Sequence, residues 1–427
     1  MRFAPFALAA CLLATPAWAC DPAAAPETFQ TGEAGWGDAD AQFRIENNAA
    51  ILAPEVGTQT ARWNAGKSQT DADVCVTIDM PDSAADASRG YAGVLFWGVD
   101  KDNFYQAVIS RNGMVTVARK VGGRILSAPL VHWTPSSAIK TGADATNNLR
   151  ITTEGENVAV RINDVEVARF RGQPPESASH IGLIASSAPA AVDTWRFTEF
   201  KLGAPAAPAA DAAAAPATPS APEEQTTGAV PAADSGSCGA GRVLFEDRFT
   251  GHDPMWGAKD GEVKLAGGEA EFDPNPGTST LRWNRAFVFS DMNACLTVRP
   301  ANNTANPTAS YAGLLFWVQD SRNYYQAVVA PNGYFTVARI VDGKVVAKRP
   351  IAWTKVPAVN TGAKERNALR VTVKGSDVEI AINGKPAGSF HGDPPVGASY
   401  IGMLAASADT KKGDTWTISD LKVTAPQ

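Results

Sequence analysis

The chain has 427 residues, 44% hydrophobic and 19% charged, which is enough to bury two or three cores and too apolar for a chain disordered throughout. Lys plus Arg number 38 against 44 Asp plus Glu, a net charge of -6, so no basic excess points to nucleic acid and little draws the chain to anionic membranes. The four His are scattered, which argues against His-rich metal chemistry.

Residues 1–19 read as an export signal. Arg2 supplies the positive charge, Phe3 to Ala14 is mostly apolar, and Ala17-Trp18-Ala19 is the small-x-small pattern that a signal peptidase cuts. The mature chain would begin at Cys20, in the periplasm or outside the cell. No later apolar run reaches the roughly 18 residues of a membrane helix. A rival reading makes Cys20 a lipid-anchored cysteine. Such signals usually carry Leu three residues before the Cys and a small residue next, where this chain has Ala17 and Trp18.

Residues 20–202 are rich in strand signals. Val94 to Phe96, Tyr105 to Ile109 and Val115 to Val121 carry β-branched and aromatic residues with turn residues between them. Asn112-Gly113 predicts a two-residue hairpin, and Asn163-Asp164 a second one. Val158 to Ile162 alternates polar and apolar, as a half-buried antiparallel strand does. Further strands are expected near Ile181 to Ser186 and Thr194 to Leu202. No segment shows a long amphipathic helical period.

Residues 203–237 have no aromatic side chain and carry Pro205, Pro208, Pro216, Pro219, Pro222 and Pro231 among many alanines. Such a stretch builds no core and reads as a partly extended, solvated tether between two independent globules.

Residues 238–424 repeat the first unit at a shift of 220 positions. Tyr91 to Trp97 falls on Tyr311 to Trp317, Tyr105 to Val108 on Tyr325 to Val328, and Thr116 to Arg119 on Thr336 to Arg339. Asn112-Gly113 falls on Asn332-Gly333, Arg62-Trp63-Asn64 on Arg282-Trp283-Asn284, and Trp133 on Trp353. Roughly half of the residues from Gly90 to Trp133 match their partners. The chain is therefore a tandem duplication, and the many short strands of each copy predict two β-sandwiches of jelly-roll type.

Cys11 would leave with the signal, so Cys20, Cys75, Cys238 and Cys295 remain. Three pairings are possible, and only Cys20–Cys75 with Cys238–Cys295 keeps each bridge inside one copy. An exported chain can form both. No close Cys or His spacing suggests a metal site, and no cofactor motif is present.

The string YAGLLFW, then Asp320, Asn323-Tyr324-Tyr325, Asn332-Gly333, Trp353, Asn367 to Val371, Ile382-Asn383-Gly384 and Ile401-Gly402 resembles the concanavalin A-like lectin/glucanase sandwich. Within that superfamily both copies are similar to bacterial exported domains described as 3-keto-disaccharide hydrolases, or family 16-like glycosidases. The resemblance implies the fold and an association with saccharides; fold alone does not fix an activity.

A retaining glucanase of that superfamily needs Glu-x-Asp-x-x-Glu on one strand face. The nearest string, Glu271-Phe272-Asp273-Pro274-Asn275-Pro276, lacks the second Glu, and the matching stretch of the first copy has no carboxylate in that register. Asp100 with Asn103 and Asp320 with Asn323 read as turns closed by their own side chains rather than as calcium ligands.

Counting back from a two-residue turn at Asn112-Gly113 sets Gln106 opposite Arg119, and the same count sets Gln326 opposite Arg339. Long polar side chains among valines suit a ligand-facing sheet, and equally an ordinary exposed cross-strand pair. Trp97, Trp133, Trp317 and Trp353 are candidate stacking surfaces, with core positions as the alternative. The expected protein is a monomeric, exported, non-catalytic binder of a glycan or cell-envelope polysaccharide. A glycoside-active enzyme and a structural envelope protein are the alternatives.

Overall fold

Strand alternation shapes both halves of the molecule. The computed structural model describes residue 29 and residues 35–82, 90–126, 129–177, 179–205, 238–300, 309–408 and 413–427. The export signal, Cys20 and most of the tether lie outside the described residues.

In copy 1 one sheet runs β1 (Phe43–Glu46), β2 (Ala49–Leu52), β14 (Trp195–Gly203), β4 (Ala72–Asp79), β10 (Thr146–Glu154), β11 (Asn157–Ile162) and β12 (Val165–Arg171). The facing sheet runs β3 (Gln59–Ser68), β13 (His180–Ser186), β5 (Tyr91–Asp100), β6 (Asn103–Ser110), β7 (Met114–Val121) and β8 (Arg124–Ile125), with β9 (Val131–Pro135) also on β7. The ladders are antiparallel. β10 shows why these segments form a sandwich: Asn147, Leu149, Ile151 and Thr153 are buried while the residues between them are not. A period of two puts one face in the core and the other toward water.

Copy 2 repeats this order. Its first sheet is β16 (Val263–Ala266), β17 (Glu269–Phe272), β29 (Trp416–Thr424), β19 (Met292–Pro300), β25 (Asn367–Lys374), β26 (Asp377–Ile382) and β27 (Lys385–His391), with β15 (Val243–Asp247) also on β29. The second is β18 (Ser279–Trp283), β28 (Tyr400–Ala406), β20 (Tyr311–Asp320), β21 (Asn323–Val329), β22 (Tyr334–Val341) and β23 (Lys344–Val345), with β24 (Ile351–Lys355) on β22. The fold is thus two antiparallel β-sandwiches of jelly-roll type in tandem. Between the sheets lie large fully buried rings: Trp36, Phe43, Trp195, Phe197 and Phe200 in copy 1, and Phe245, Phe249, Phe272 and Trp416 in copy 2.

Cys238 and Cys295 form a disulfide, as the spacing predicts. Cys75 is itself disulfide-bonded; the Cys20 with which the sequence pairs it lies outside the described residues.

The two predicted hairpins turn out differently. At Asn163 and Asp164, φ is 49° and 71°, and at Asn383 and Gly384 it is 50° and 75°, as two-residue type I′ turns require. At Asn112-Gly113 only the glycine has positive φ, 82°, and Gly113 N donates to Ser110 O at 3.0 Å. Three residues, Arg111 to Gly113, therefore cross between the strands, and Tyr105, not Gln106, stands opposite Arg119. Copy 2 has the same geometry, with Tyr325 opposite Arg339. One extra loop residue shifts the register by one and sends every side chain of the count to the other face. The predicted Gln106/Arg119 and Gln326/Arg339 pairs are therefore corrected.

The sequence also expects globules without mutual contact, whereas the structure sets Arg285 to Val288 of copy 2 against one end of copy 1. Gln173 Nε2 donates to Val288 O at 3.2 Å, and Arg119 Nη1 to Ala286 O at 3.2 Å. The contact joins Arg119, which recurs as Arg339, to Gln173 and Arg285 to Val288, which do not recur, so the repeat alone gives no sign of it.

Candidate functional site

The corrected register sorts the eight candidate residues into two places. Cross-strand partners share a face, so Leu95, Gln106 and Ala118 lie together on the outer face of the β5-β6-β7 sheet, with Val108 and Thr116 beside them. Leu95, Phe104, Val108 and Ile184 form an apolar floor there, packed with Ala61, Trp63 and Tyr91. Trp63 stands edge-on to Phe104 at 5.6 Å, and Tyr91 lies 6.0 Å from Trp133, which is 43% exposed.

Gln106 sits in this floor at 7% exposure, and its Oε1 is buried with no hydrogen-bond partner. A buried amide oxygen left unpaired costs roughly 1–3 kcal/mol, which a donor from a bound molecule would recover. Tyr91 Oη donates to Gln59 Oε1 at 2.7 Å, and burial pushes the Tyr91 phenol above its ordinary range. The ring therefore stays neutral and presents a polar tip on an apolar body.

Copy 2 builds the same face from Trp283, Tyr311, Leu315, Tyr324, Gln326, Val328 and Trp353. Tyr311 lies 5.8 Å from Trp353 and hydrogen-bonds Gln326. Burial, then the neighbouring Tyr311, pushes the Tyr324 phenol up to about 12. Beside this face is a cavity of about 270 Å³ lined by Trp256, Asp260, Arg282, Trp283 and Arg285. Arg282 is held there by an ion pair with Asp260, as Arg62 is by Asp40 in copy 1.

Trp97 and Arg119 lie elsewhere, at the rim where the two sheets part. Trp97 is only 3% exposed, has φ of 49° at a register shift in β5, and donates Nε1 to Thr70 O at 2.9 Å. Trp317 matches it in burial and φ. Both rings are core, closed over by glycines: a β-carbon on Gly172 would stand 2.6 Å from Trp97, and one on Gly392 2.5 Å from Trp317. Neither offers an open stacking surface. The Arg119 guanidinium lies 5.0 Å from the Tyr105 ring and donates to Gln173 Oε1 at 2.6 Å. Arg339 lies over Tyr325 and pairs with Asp393.

Gln106 with Trp133, and Gln326 with Trp353, are thus brought together, while Trp97, Arg119, Trp317 and Arg339 are not part of those faces. The counting missed Trp63, Tyr91, Trp283 and Tyr311. Their signal was present, since all four recur at the 220-residue shift, but a matching aromatic reads alike as core or as surface.

The carboxylates do structural work. Asn103 Nδ2 donates to Asp100 Oδ1 and Oδ2 at 2.9 and 3.0 Å, and Asp102 N to Asp100 Oδ1 at 2.7 Å. Asp320 is held the same way by Asn323 and Arg322 N. Glu271 is an exposed residue of β17, flanked by Lys264 and Thr417.

No family model matches the chain, and no curated protein does. Among solved structures, a carbohydrate binding module, CBM66 from Bacillus subtilis, is 17% identical with a TM-score of 0.32, over 41% of this chain and 98% of that one. The carbohydrate recognition domain of Emp46p in its metal-free form is 13% identical with a TM-score of 0.32, over 42% and 98%. The exoplasmic/lumenal domain of VIP36, bound to Ca2+ and Man3GlcNAc, is 13% identical with a TM-score of 0.32, over 39% and 83%. Likeness at this level carries no argument about ligand or residues.

Proposed function

We propose that this is an exported, non-catalytic glycan-binding protein that holds saccharide on the outer faces of its two sandwiches. One observation carries the reading: the same set of three rings and one amide is built twice, as Trp63, Tyr91, Gln106 and Trp133 and as Trp283, Tyr311, Gln326 and Trp353. Flat rings suit the C–H faces of a pyranose, and a buried amide oxygen suits a sugar hydroxyl donating to it. These groups orient a ligand. An amide and a high-pKa phenol do not supply the acid/base pair of glycoside cleavage.

Titration calorimetry of the full chain against xylan, laminarin and polygalacturonate, with their oligosaccharides, tests the proposal. Binding to one of them is expected, weakened about tenfold or more when Trp133→Ala and Trp353→Ala are combined. Unchanged binding in that variant, or none in the wild type, overturns the reading. Release of reducing ends well above a heat-killed control favours the glycosidase alternative instead. Export is checked by the N-terminal sequence and mass of the mature protein: a start at Cys20 carrying no lipid is expected, and a diacylglyceryl adduct would make it a lipoprotein.

A further inference from the structure

The two copies differ most where they touch. Arg285-Ala286-Phe287-Val288-Phe289 of copy 2 stands at the repeat positions of Ala65-Gly66-Lys67-Ser68-Gln69 in copy 1. In copy 2 the four residues after Arg285 are apolar and covered, with Ala286 and Phe287 at 0% and Val288 at 5% exposure.

The rim of copy 1 reads that segment by its backbone. Gln173 meets both polar groups of one residue: Nε2 donates to Val288 O and Oε1 accepts from Val288 N, each at 3.2 Å, while the same oxygen also accepts from Arg119 at 2.6 Å. A neighbouring strand would satisfy Val288 in the same way. Arg119 donates to Ala286 O, and Arg171 Nη2 donates to Glu246 O at 3.1 Å. The Arg171 guanidinium also lies 5.3 Å from the Phe245 ring and 5.7 Å from Phe287. Val121 and Leu126 of copy 1 pack into the apolar cluster that contains Val288. An Arg242–Glu176 ion pair closes the edge.

The matching rim of copy 2 cannot do this. Arg171 is replaced by His391, and Gln173 by Asp393, whose carboxylate has no N–H to give a backbone carbonyl. Asp393 pairs instead with Arg339 and stands 74% exposed. Reader and segment therefore each occur once in the chain.

We propose that the duplicated sandwiches have specialised into a receptor and a docking partner, so that Arg285–Val288 of copy 2 locks onto the Arg119/Arg171/Gln173 rim of copy 1 within one chain. A head-to-tail contact that recurred on every copy would grow into an open chain of molecules. Here one docking event uses up both surfaces. The two outer faces are then held at a fixed relative orientation rather than searching independently on a tether.

The test uses the full chain with a protease site placed between residues 206 and 237, cleaved after purification and run on a sizing column with light scattering. The halves are expected to co-elute at about 10 μM with the mass of one chain. Arg171→His with Gln173→Asp, which copies the open rim of copy 2, is expected to separate them at that concentration. Two unchanged melting transitions would show that both halves remain folded in that variant. Val288→Ser, the copy 1 residue, gives an independent arm with the same expectation, and Arg339→Ala at the open rim is expected to change nothing. Halves of the wild type that separate on cleavage, or a double variant whose halves stay together, would overturn the lock. An uncleaved dimer would overturn docking within one chain.

Discussion

Copies 1 and 2 share strand order, hairpins and a buried rim Trp, yet they part company over a handful of residues at one end of the sandwich. What they hold in common specifies the fold and the aromatic outer face: Trp97 and Trp317 with φ of 49° in both, and Gly172 and Gly392 closing over them. What they do not share, Gln173 against Asp393 and Val288 against Ser68, specifies contact between the copies. In a duplicated chain, identity marks self-support and divergence marks division of labour.

The largest expected effect tests the shared part. Trp97→Ala should cost copy 1 about 3–5 kcal/mol and Trp317→Ala the same for copy 2, since each empties a closed aromatic site in its own core. Calorimetry that resolves two transitions would show one peak fall and the other stay. A loss of similar size in both peaks from a single substitution would mean that the cores are not separate.

Next comes the disulfide. Replacing both Cys238 and Cys295 with Ser should destabilise copy 2 by about 2–5 kcal/mol while leaving the copy 1 transition in place. Cys75→Ser should do the same to copy 1 alone, because Cys75 is also disulfide-bonded. Denaturant melts followed by far-UV circular dichroism measure both.

Much of this architecture was legible in the sequence. Strand content, the duplication and the Cys238–Cys295 bridge follow from spacing and alternation. The register around Asn112-Gly113 does not, because Asn-Gly fits both a two-residue turn and the end of a three-residue loop. That single ambiguity placed Arg119 on the wrong face. The Asn163-Asp164 turn escaped it because Asn163 is anchored from both sides: Nδ2 donates to Ala138 O at 2.8 Å, and Oδ1 accepts from Asn148 N at 2.9 Å. Docking between the copies was illegible for another reason: Arg119 recurs as Arg339, but Arg171, Gln173 and Val288, which complete the contact, do not recur.

The arginines sharpen the comparison at a smaller scale. Arg119→Ala with Arg339→Ala should leave saccharide binding within about twofold of the wild type, because neither side chain reaches the outer face. Arg119→Ala alone should weaken association of the cleaved halves severalfold, through the lost bond to Ala286 O. Calorimetry and sizing read the two effects separately. Loss of binding in the double variant would return the ligand to the rim.

The smallest effect concerns a carboxylate where copy 2 meets copy 1. Asp253 starts the short 3-10 turn Pro254–Trp256, and its Oδ1 accepts from Met255 N at 2.8 Å. Its Oδ2 is buried without a partner. Burial, with the nearby Asp247 adding to it, holds the Asp253 carboxyl above its ordinary range, although the Met255 N–H and the Arg171 charge pull it down. A carboxyl raised on folding means that the native state binds more protons than the unfolded one between the two values. Stability of copy 2 therefore falls as pH rises through that interval, the opposite of a paired carboxylate. Asp253→Asn keeps an acceptor for Met255 N and removes the charge, since Asn caps a turn about as well as Asp. The variant should melt about 2 °C higher than wild type at pH 7, a modest shift for a domain of this length. The gap should close by pH 3, where the wild-type carboxyl is also neutral. A melt of copy 2 that drops at pH 7, or a gap that persists unchanged at pH 3, would show that Asp253 earns its place as a charge, through Arg171 of the other copy.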